Sequence, residues 1–261
     1  MNPPLLRLAT FNVNSIRQRA GHVARFLERQ QPDLLFLQET RCLPEQVPEM
    51  EFSGLGYKTH AVGQKGGRNG VAVIARIPFT VIAEALPGAA EDDHARYIEL
   101  EAAGMRAAGI YLPNGNSGGE AGFTYKLRWM ERLAALAAAR LDAFIPFAIL
   151  GDFNVCPTDE DLLHGALPPT DALVRPETRA AYRTLLHLGF TDTLKALHPD
   201  ATPFTYWDYG SAFELNRGLR IDHILLSPEL AERAVTCTVD TAPRAEEQPS
   251  DHTPVLCDLR D

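Results

Sequence analysis

The stretch Ile149-Leu150-Gly151-Asp152-Phe153-Asn154-Val155 decides how this chain is read. An apolar run (Phe144, Ile145, Phe147, Ala148, Ile149, Leu150) stops at Gly151, and an acid and an amide then follow two positions apart. A strand covered on both faces reads as a near-continuous apolar run. Polar groups at its end sit where sites are usually placed. Period-two spacing predicts Asp152 and Asn154 on the same side of the strand. There one could serve as a base and the other as an orienting amide for the same water or phosphate. Gly, Asp and Asn are also the commonest turn formers, so the stretch alone reads as a strand-to-turn junction. Its partners elsewhere in the chain change that.

Working outward, the helix before it spans about 123–141, with Leu127, Met130, Leu133, Leu136, Ala137 and Leu141 on one face. Upstream, strands are predicted at 5–14, 33–38, 57–62, 70–75, 80–86, 96–102 and 105–112. Ser15 is the expected N-cap of a helix through Gln30. Downstream come a helix at 177–188, a short one capped by Thr191 or Asp192, strands at 205–209 and 219–227, a helix from Pro228, and closing strands at 236–241 and 254–259. No linker divides the chain, so one domain over 1–261 is expected. Thr10-Phe11-Asn12-Val13 faintly echoes Asp152-Phe153-Asn154-Val155, which fits two packed sheets related by a rough two-fold with helices outside.

The 261 residues are 45% hydrophobic and 23% charged, ordinary for a water-soluble globular fold. The N-terminus shows no secretory pattern, and apolar stretches are broken well short of a membrane span. Cys42, Cys156, Cys237 and Cys257 have no CxxC spacing, which argues for reduced thiols in a cytoplasmic protein and against zinc. A net charge of −9 excludes a protein that coats nucleic acid non-specifically. It leaves room for an enzyme whose acids bind a metal ion.

Five predicted strands carry a polar cluster. They are Asn12-Val13-Asn14, Gln38-Glu39-Thr40, Asp152-Phe153-Asn154, Ser250-Asp251-His252 and, inside an apolar strand, Arg220-Ile221-Asp222-His223. Each alone is a cap, a turn or an edge charge; Glu39 alone is a surface acid paired with Arg41. Together they supply the oxygen ligands that a hard ion such as Mg²⁺ prefers, in company suited to phosphate esters.

On these residues the chain resembles the exonuclease III family of apurinic/apyrimidinic endonucleases, within the endonuclease/exonuclease/phosphatase superfamily. The resemblance spans nearly the whole chain. It is carried by residues 10–17, Leu37-Gln38-Glu39-Thr40-Arg41, Gly151-Asp152-Phe153-Asn154, Asn216-Arg217-Gly218-Leu219-Arg220-Ile221-Asp222 and Ser250-Asp251-His252. It implies an α/β fold of four layers: two packed, mainly antiparallel or mixed β-sheets flanked by helices, as in deoxyribonuclease I. Glu39 would be the main metal carboxylate, with Asn12, Asp251, Asp152 and Asn154 as ligands or neighbours. Asp152 would deprotonate the attacking water, helped by Asn154. His252, its ring held by Asp222, would contact the scissile phosphate. Tyr111 and Asn114 fall where the family contacts phosphate. Asn14 departs from animal-type relatives, which have an aspartate there.

The resemblance further implies a Mg²⁺ cofactor, with Mn²⁺ able to substitute, and a monomer acting on duplex DNA with abasic sites or blocked 3′ ends. Cleavage would fall 5′ to the abasic site, with accompanying 3′-phosphatase and 3′→5′ exonuclease activity. Substrate contacts are expected from Asn14, Arg68, Asn69, Lys126 and Arg217, and from a wider basic set read as lying on loops (Arg41, Lys65, Arg128, Arg220). Trp207, Leu219 and Ile221 would form the pocket that accepts a baseless deoxyribose. Phosphoinositide phosphatases, sphingomyelinases and non-specific deoxyribonucleases share the Glu, Asp-x-Asn and Ser-Asp-His clusters; the 216–222 run favours repair. A non-catalytic scaffold would have lost some of these residues, and none is lost.

Overall fold

A computed structural model describes residues 5–260; Met1 to Pro4, on which the absence of a leader was partly read, lie outside the described residues. The chain runs β1 (Leu5–Asn12), α1 (Ile16–Gln30), β2 (Leu34–Gln38), α2 (Glu49–Ser53), β3 (Lys58–Val62), β4 (Val71–Ala75), β5 (Thr80–Ala83), β6 (Tyr97–Ala102) and β7 (Met105–Tyr111). It continues α3 (Gly119–Asp142), β8 (Phe147–Asp152), α4 (Pro176–Leu188), β9 (Thr191–Asp192), α5 (Thr193–Leu197), β10 (Tyr206–Trp207) and β11 (Gly218–Leu219). It closes with β12 (Asp222–Leu226), α6 (Pro228–Arg233), β13 (Ala234–Val239) and β14 (Val255–Arg260).

Two six-stranded sheets form, in the orders β13-β14-β1-β2-β4-β3 and β5-β6-β7-β8-β12-β9. The apolar strands alternate between two cores, which is why they read as unbroken runs. Leu34 and Phe36 of β2, like Ala148 and Leu150 of β8, enter the core between the sheets. Leu35 and Leu37 instead meet Val23, Phe26 and Leu27 of α1. Phe147 and Ile149 meet Trp129 and Leu133 of α3 and Tyr182 and Leu185 of α4. The result is the expected four-layer sandwich. The sheets approach so closely that a Cβ on Gly109 of β7 would lie 2.3 Å from the Phe36 ring.

Each sheet contains one crossover unit of parallel strands, β1-α1-β2 and β7-α3-β8, with antiparallel strands outside. Chain order therefore matches β1 to β7 and β2 to β8. The echo of residues 10–13 in 152–155 links β1 to β8 and does not mark the repeat. What it marks is position: the C-terminal ends of β1, β2, β7 and β8 face one rim. β12 and β14, antiparallel to β8 and β1, start at that same rim. Asp222 at the start of β12 lies directly across from Asp152.

Three local expectations are corrected. Phe144 belongs to the turn after α3, with φ of 54°, and is 91% exposed rather than part of the buried strand. Ser15 makes no side-chain cap to α1; its N–H is instead given to the Glu39 carbonyl at 2.7 Å. Asn154 lies beyond β8 with φ of 49°, so strand alternation is not what sets it beside Asp152. Its N–H donates to Asp152 Oδ1 at 2.8 Å, a turn closed by the acid itself. Asp192 does cap α5, accepting from the Lys195 N–H at 3.4 Å.

Candidate active site

The rim of strand ends surrounds a cavity of about 380 Å³ lined by Glu39, Tyr111, Asn114, Asp152, Asn154, Arg217, Leu219, Asp251 and His252, among others. Asn12 lies beneath it, fully buried and outside the lining. Its amide donates to Glu39 Oε1 at 3.1 Å and Asp152 Oδ2 at 3.0 Å, while its Oδ1 accepts the Asn14 N–H at 3.0 Å. In this arrangement Asn12 bridges two carboxylates, one from each sheet. The Asn14 amide in turn donates to Asp251 Oδ1 at 3.1 Å. Ser250 ties the two strands further, its hydroxyl donating to the Asn12 carbonyl at 2.7 Å.

Glu39 is salt-bridged to Arg41, at 2.8 Å from its Nε, as its sequence neighbours alone suggest, and it also lines the cavity. Burial opposes its ionisation, but Arg41 and the Asn12 amide hold its carboxyl below the usual range. Asp152 is 1% exposed. Burial pushes its carboxyl up to about 7, with Asp222 adding to the rise and His252 opposing it. His252 Nδ1 lies 2.8 Å from Asp222 Oδ2, leaving Nε2 directed to Asp152 at 3.7 Å. Burial disfavours the imidazolium, yet Asp222 and then Asp152 raise it to about 10. The Tyr111 phenol is pushed far above its ordinary value by burial and by Glu39 and Asp152, and so stays protonated.

Asp152, Asp222 and His252 place ligand atoms within 4.8 Å of one another. With Nδ1 committed to Asp222, Nε2 is left free on the side of Asp152, 3.7 Å away. One Asp222 oxygen is buried with no partner. Five carboxylates line the cavity (Glu39, Asp152, Asp171, Asp208, Asp251) against Arg217 and His252 as cations. That excess of hard oxygen donors, with no thiol among them, fits a divalent cation of the Mg²⁺ type. The oxygen of Asn154 accepts from the Asn114 amide at 3.0 Å, and its own amide donates to the Leu112 carbonyl at 2.9 Å, so Asn154 is braced on both sides.

The family model of the endonuclease/exonuclease/phosphatase family matches residues 9–252. The chain belongs to that family. It is 34% identical to exodeoxyribonuclease III of Haemophilus influenzae over 98% of this chain and all of that protein. An AP endonuclease from Archaeoglobus fulgidus superposes with a TM-score of 0.92 at 36% identity, covering 98% of this chain and 99% of that one. The 3′ phosphatase NExo from Neisseria, bound to a product DNA hairpin, gives 0.92 at 32% identity over 98% and 100%. The shared family fold is what gathers the five separated clusters at one rim.

Not every expected contact residue reaches that rim. Arg68 and Asn69 sit on the loop beside it, zipped to the Glu39 loop by the Arg41 N–H to Asn69 carbonyl bond of 2.9 Å; Arg68 is exposed. Lys126 is corrected: it lies on α3, fully buried, with its ammonium on three backbone carbonyls, and cannot meet a duplex phosphate. Arg220 is corrected likewise, being 2% exposed and paired with Asp161 at 2.6 Å and Asp192 at 2.8 Å. Trp207 is 3% exposed and does not line the cavity; its indole donates to Asn216 Oδ1 at 3.2 Å. Its neighbour Tyr206 lines the cavity instead, with Leu219 and Ile221, and packs edge-on against His252 at 5.0 Å.

Two residues were missed. Tyr209 accepts from the Asn14 amide at 2.8 Å, beside Asp251. The Arg96 guanidinium lies 4.6 Å from the Tyr111 ring centroid and donates to the Tyr111 carbonyl at 3.2 Å. Arg96 was findable. The tight Ala103-Gly104 turn fixes the β6–β7 register, Ala102 opposite Met105, and that register carries Arg96 to Tyr111.

Proposed function

We infer that this chain is a metal-dependent DNA-repair phosphodiesterase that hydrolyses the phosphodiester 5′ to an abasic site, leaving a 3′-hydroxyl and a 5′-deoxyribose phosphate. Trimming of blocked 3′ ends belongs to the same chemistry. The reading is carried by the convergence of Glu39, Asp152, Asp251 and His252, drawn from both sheets, on one cavity. It is supported by the AP endonuclease and the 3′ phosphatase at above 30% identity over nearly full length. The residues act as one domain and as a monomer. Among the described residues no helix is long and apolar enough to cross a membrane.

Asp152, with a carboxyl near neutrality, is the base that takes the proton of the attacking water. The Asn12 amide and the Asn154 N–H fix its two oxygens toward opposite neighbours. His252, held cationic by Asp222, donates from Nε2 to a phosphate oxygen as charge develops there. Tyr111, kept protonated, donates a second hydrogen bond to the phosphate. Glu39 and Asp251 would hold Mg²⁺, with Mn²⁺ as substitute, and the ion would supply Lewis-acid stabilisation of the phosphoryl group. Tyr206, Leu219 and Ile221 offer apolar walls to a sugar that has lost its base. An abasic nucleotide leaves the stack cheaply, which adds selectivity. Arg68, Asn69 and Arg217 position the phosphate backbone without reading sequence.

Three substrates compared side by side test this: duplex with a central tetrahydrofuran abasic analogue, the same duplex intact, and an inositol phosphate. Incision of the first alone, 5′ to the analogue, is expected. Equal cutting of intact duplex, or turnover of the inositol phosphate, would place the chain in another branch of the family.

A further inference from the structure

We propose that Lys126 is a positioning residue: its buried ammonium ties the loops that leave β7 and β8, and the segment at Ala172, into one fixed wall of the cavity. The inference rests on the phosphodiesterase reading above. Lys126 is the fully buried lysine of α3. Its Nζ meets the carbonyls of Asn114 at 3.1 Å, Asn154 at 2.6 Å and Ala172 at 3.3 Å. An ammonium has three N–H donors and no acceptor, so donors and carbonyls match one for one. The side chain reaches them by passing Gly115, where a Cβ would lie 2.7 Å from Lys126 Cδ. Any side chain at position 115 would push it away.

Burying an ammonium away from water is unfavourable, and a methionine of similar length would fill the space without that penalty. What the charge adds is the gathering of three carbonyls from separate loops. The consequence reaches the reacting groups through Asn154. Lys126 fixes the Asn154 carbonyl, the Asn154 N–H fixes Asp152 Oδ1 at 2.8 Å, and the Asn154 side chain holds Asn114 at 3.0 Å. Ala172 follows Asp171, another residue of the cavity. Lys126 thus acts on the base at one remove and touches no substrate.

The test is Lys126→Met measured on the tetrahydrofuran duplex, with a thermal melt to confirm folding. The expected result is a kcat about 100-fold lower with KM changed less than about 3-fold, since misplacement by an ångström costs about that much in rate. In an Asp152→Ala background, which removes the base and the acceptor of the Asn154 N–H, the same substitution should lower the residual kcat less than about 5-fold, because the path to the base is already broken. A merely structural lysine would give the same loss in both backgrounds, and a phosphate contact would raise KM and spare kcat; either result overturns the proposal. So does a Lys126→Met enzyme as active as the parent. Should Lys126→Met not fold, Lys126→Gln, which keeps amide donors, is read in the same two backgrounds, with a smaller loss expected in the first and none in the second. Failure of the parent enzyme to cut the duplex would instead count against the phosphodiesterase reading.

Discussion

Asp152→Asn should lower the rate of abasic-site incision by about 10⁴-fold, the upper end of what a general base contributes. The substitution keeps the side chain's shape and an oxygen to accept the Asn154 N–H, so the fold and the wall of the cavity should survive. Removal of a negative charge beside a phosphate should leave binding of uncut abasic duplex equal or tighter, as read by fluorescence anisotropy. The pH profile gives a second readout. With Asp152 at about 7, the parent's rate should climb as pH rises through that value and the carboxyl gives up its proton. A bound cation would move this acid limb to lower pH. Whatever its position, the limb should vanish in Asp152→Asn. An acid limb that persisted there would assign the base to another residue.

The second large effect is expected at His252. Replacing it by Asn should lower kcat by about 10³-fold, the loss typical of one donor to a developing oxyanion. Asp222→Asn should cost less and act differently. Asp222 is the first of the groups that raise His252, to about 10. The imidazolium is therefore present below that pH and lost as pH rises through it, which sets an alkaline limb on the rate. Without the Asp222 charge the imidazole titrates lower, so the limb should move to lower pH. An alkaline limb unmoved in Asp222→Asn would mean that His252 does not carry the proton that matters.

Much of this site was legible in the sequence because its residues sit where apolar strands stop. The ends of β1, β2 and β8 were visible as apolar runs breaking into polar clusters, and Asn12, Glu39 and Asp152 lie at or just past those ends, whereas Tyr111 at the end of β7 was reached through the family resemblance alone. Asp251 and His252 could be read for the complementary reason, since they precede a strand antiparallel to β1. What failed depends on packing that strand alternation does not record. Tyr206 and Trp207 are adjacent in a two-residue strand, so one of them faces the cavity and the other the interior, and nothing local says which. Lys126 and Arg220 look like surface cations in a list of charges. Only the fold shows that three carbonyls, or two aspartates, wait for them inside.

The left-handed residues at the rim were also hidden. Asn14, Glu39 and Asn154 all have φ between 42° and 50°. Each turns the chain sharply just after a strand, and in two cases the turn is closed by a bond back to the side chain two residues earlier. Asn tolerates this conformation. For Glu39 the zipped loop around it supplies the constraint, through the Ser15 and Glu39 carbonyl bond and the Thr40 N–H to Gly70 bond.

All of this turns on a divalent cation held by Glu39 and Asp251, at strand ends of one sheet, beside a phosphodiester faced by Asp152 of the other sheet. This arrangement is tested most directly by incubating the tetrahydrofuran duplex with enzyme stripped by EDTA, then adding Mg²⁺ back in excess of the chelator. No incision is expected in the chelator, and full incision 5′ to the analogue once Mg²⁺ returns. Undiminished incision in the chelator would contradict it.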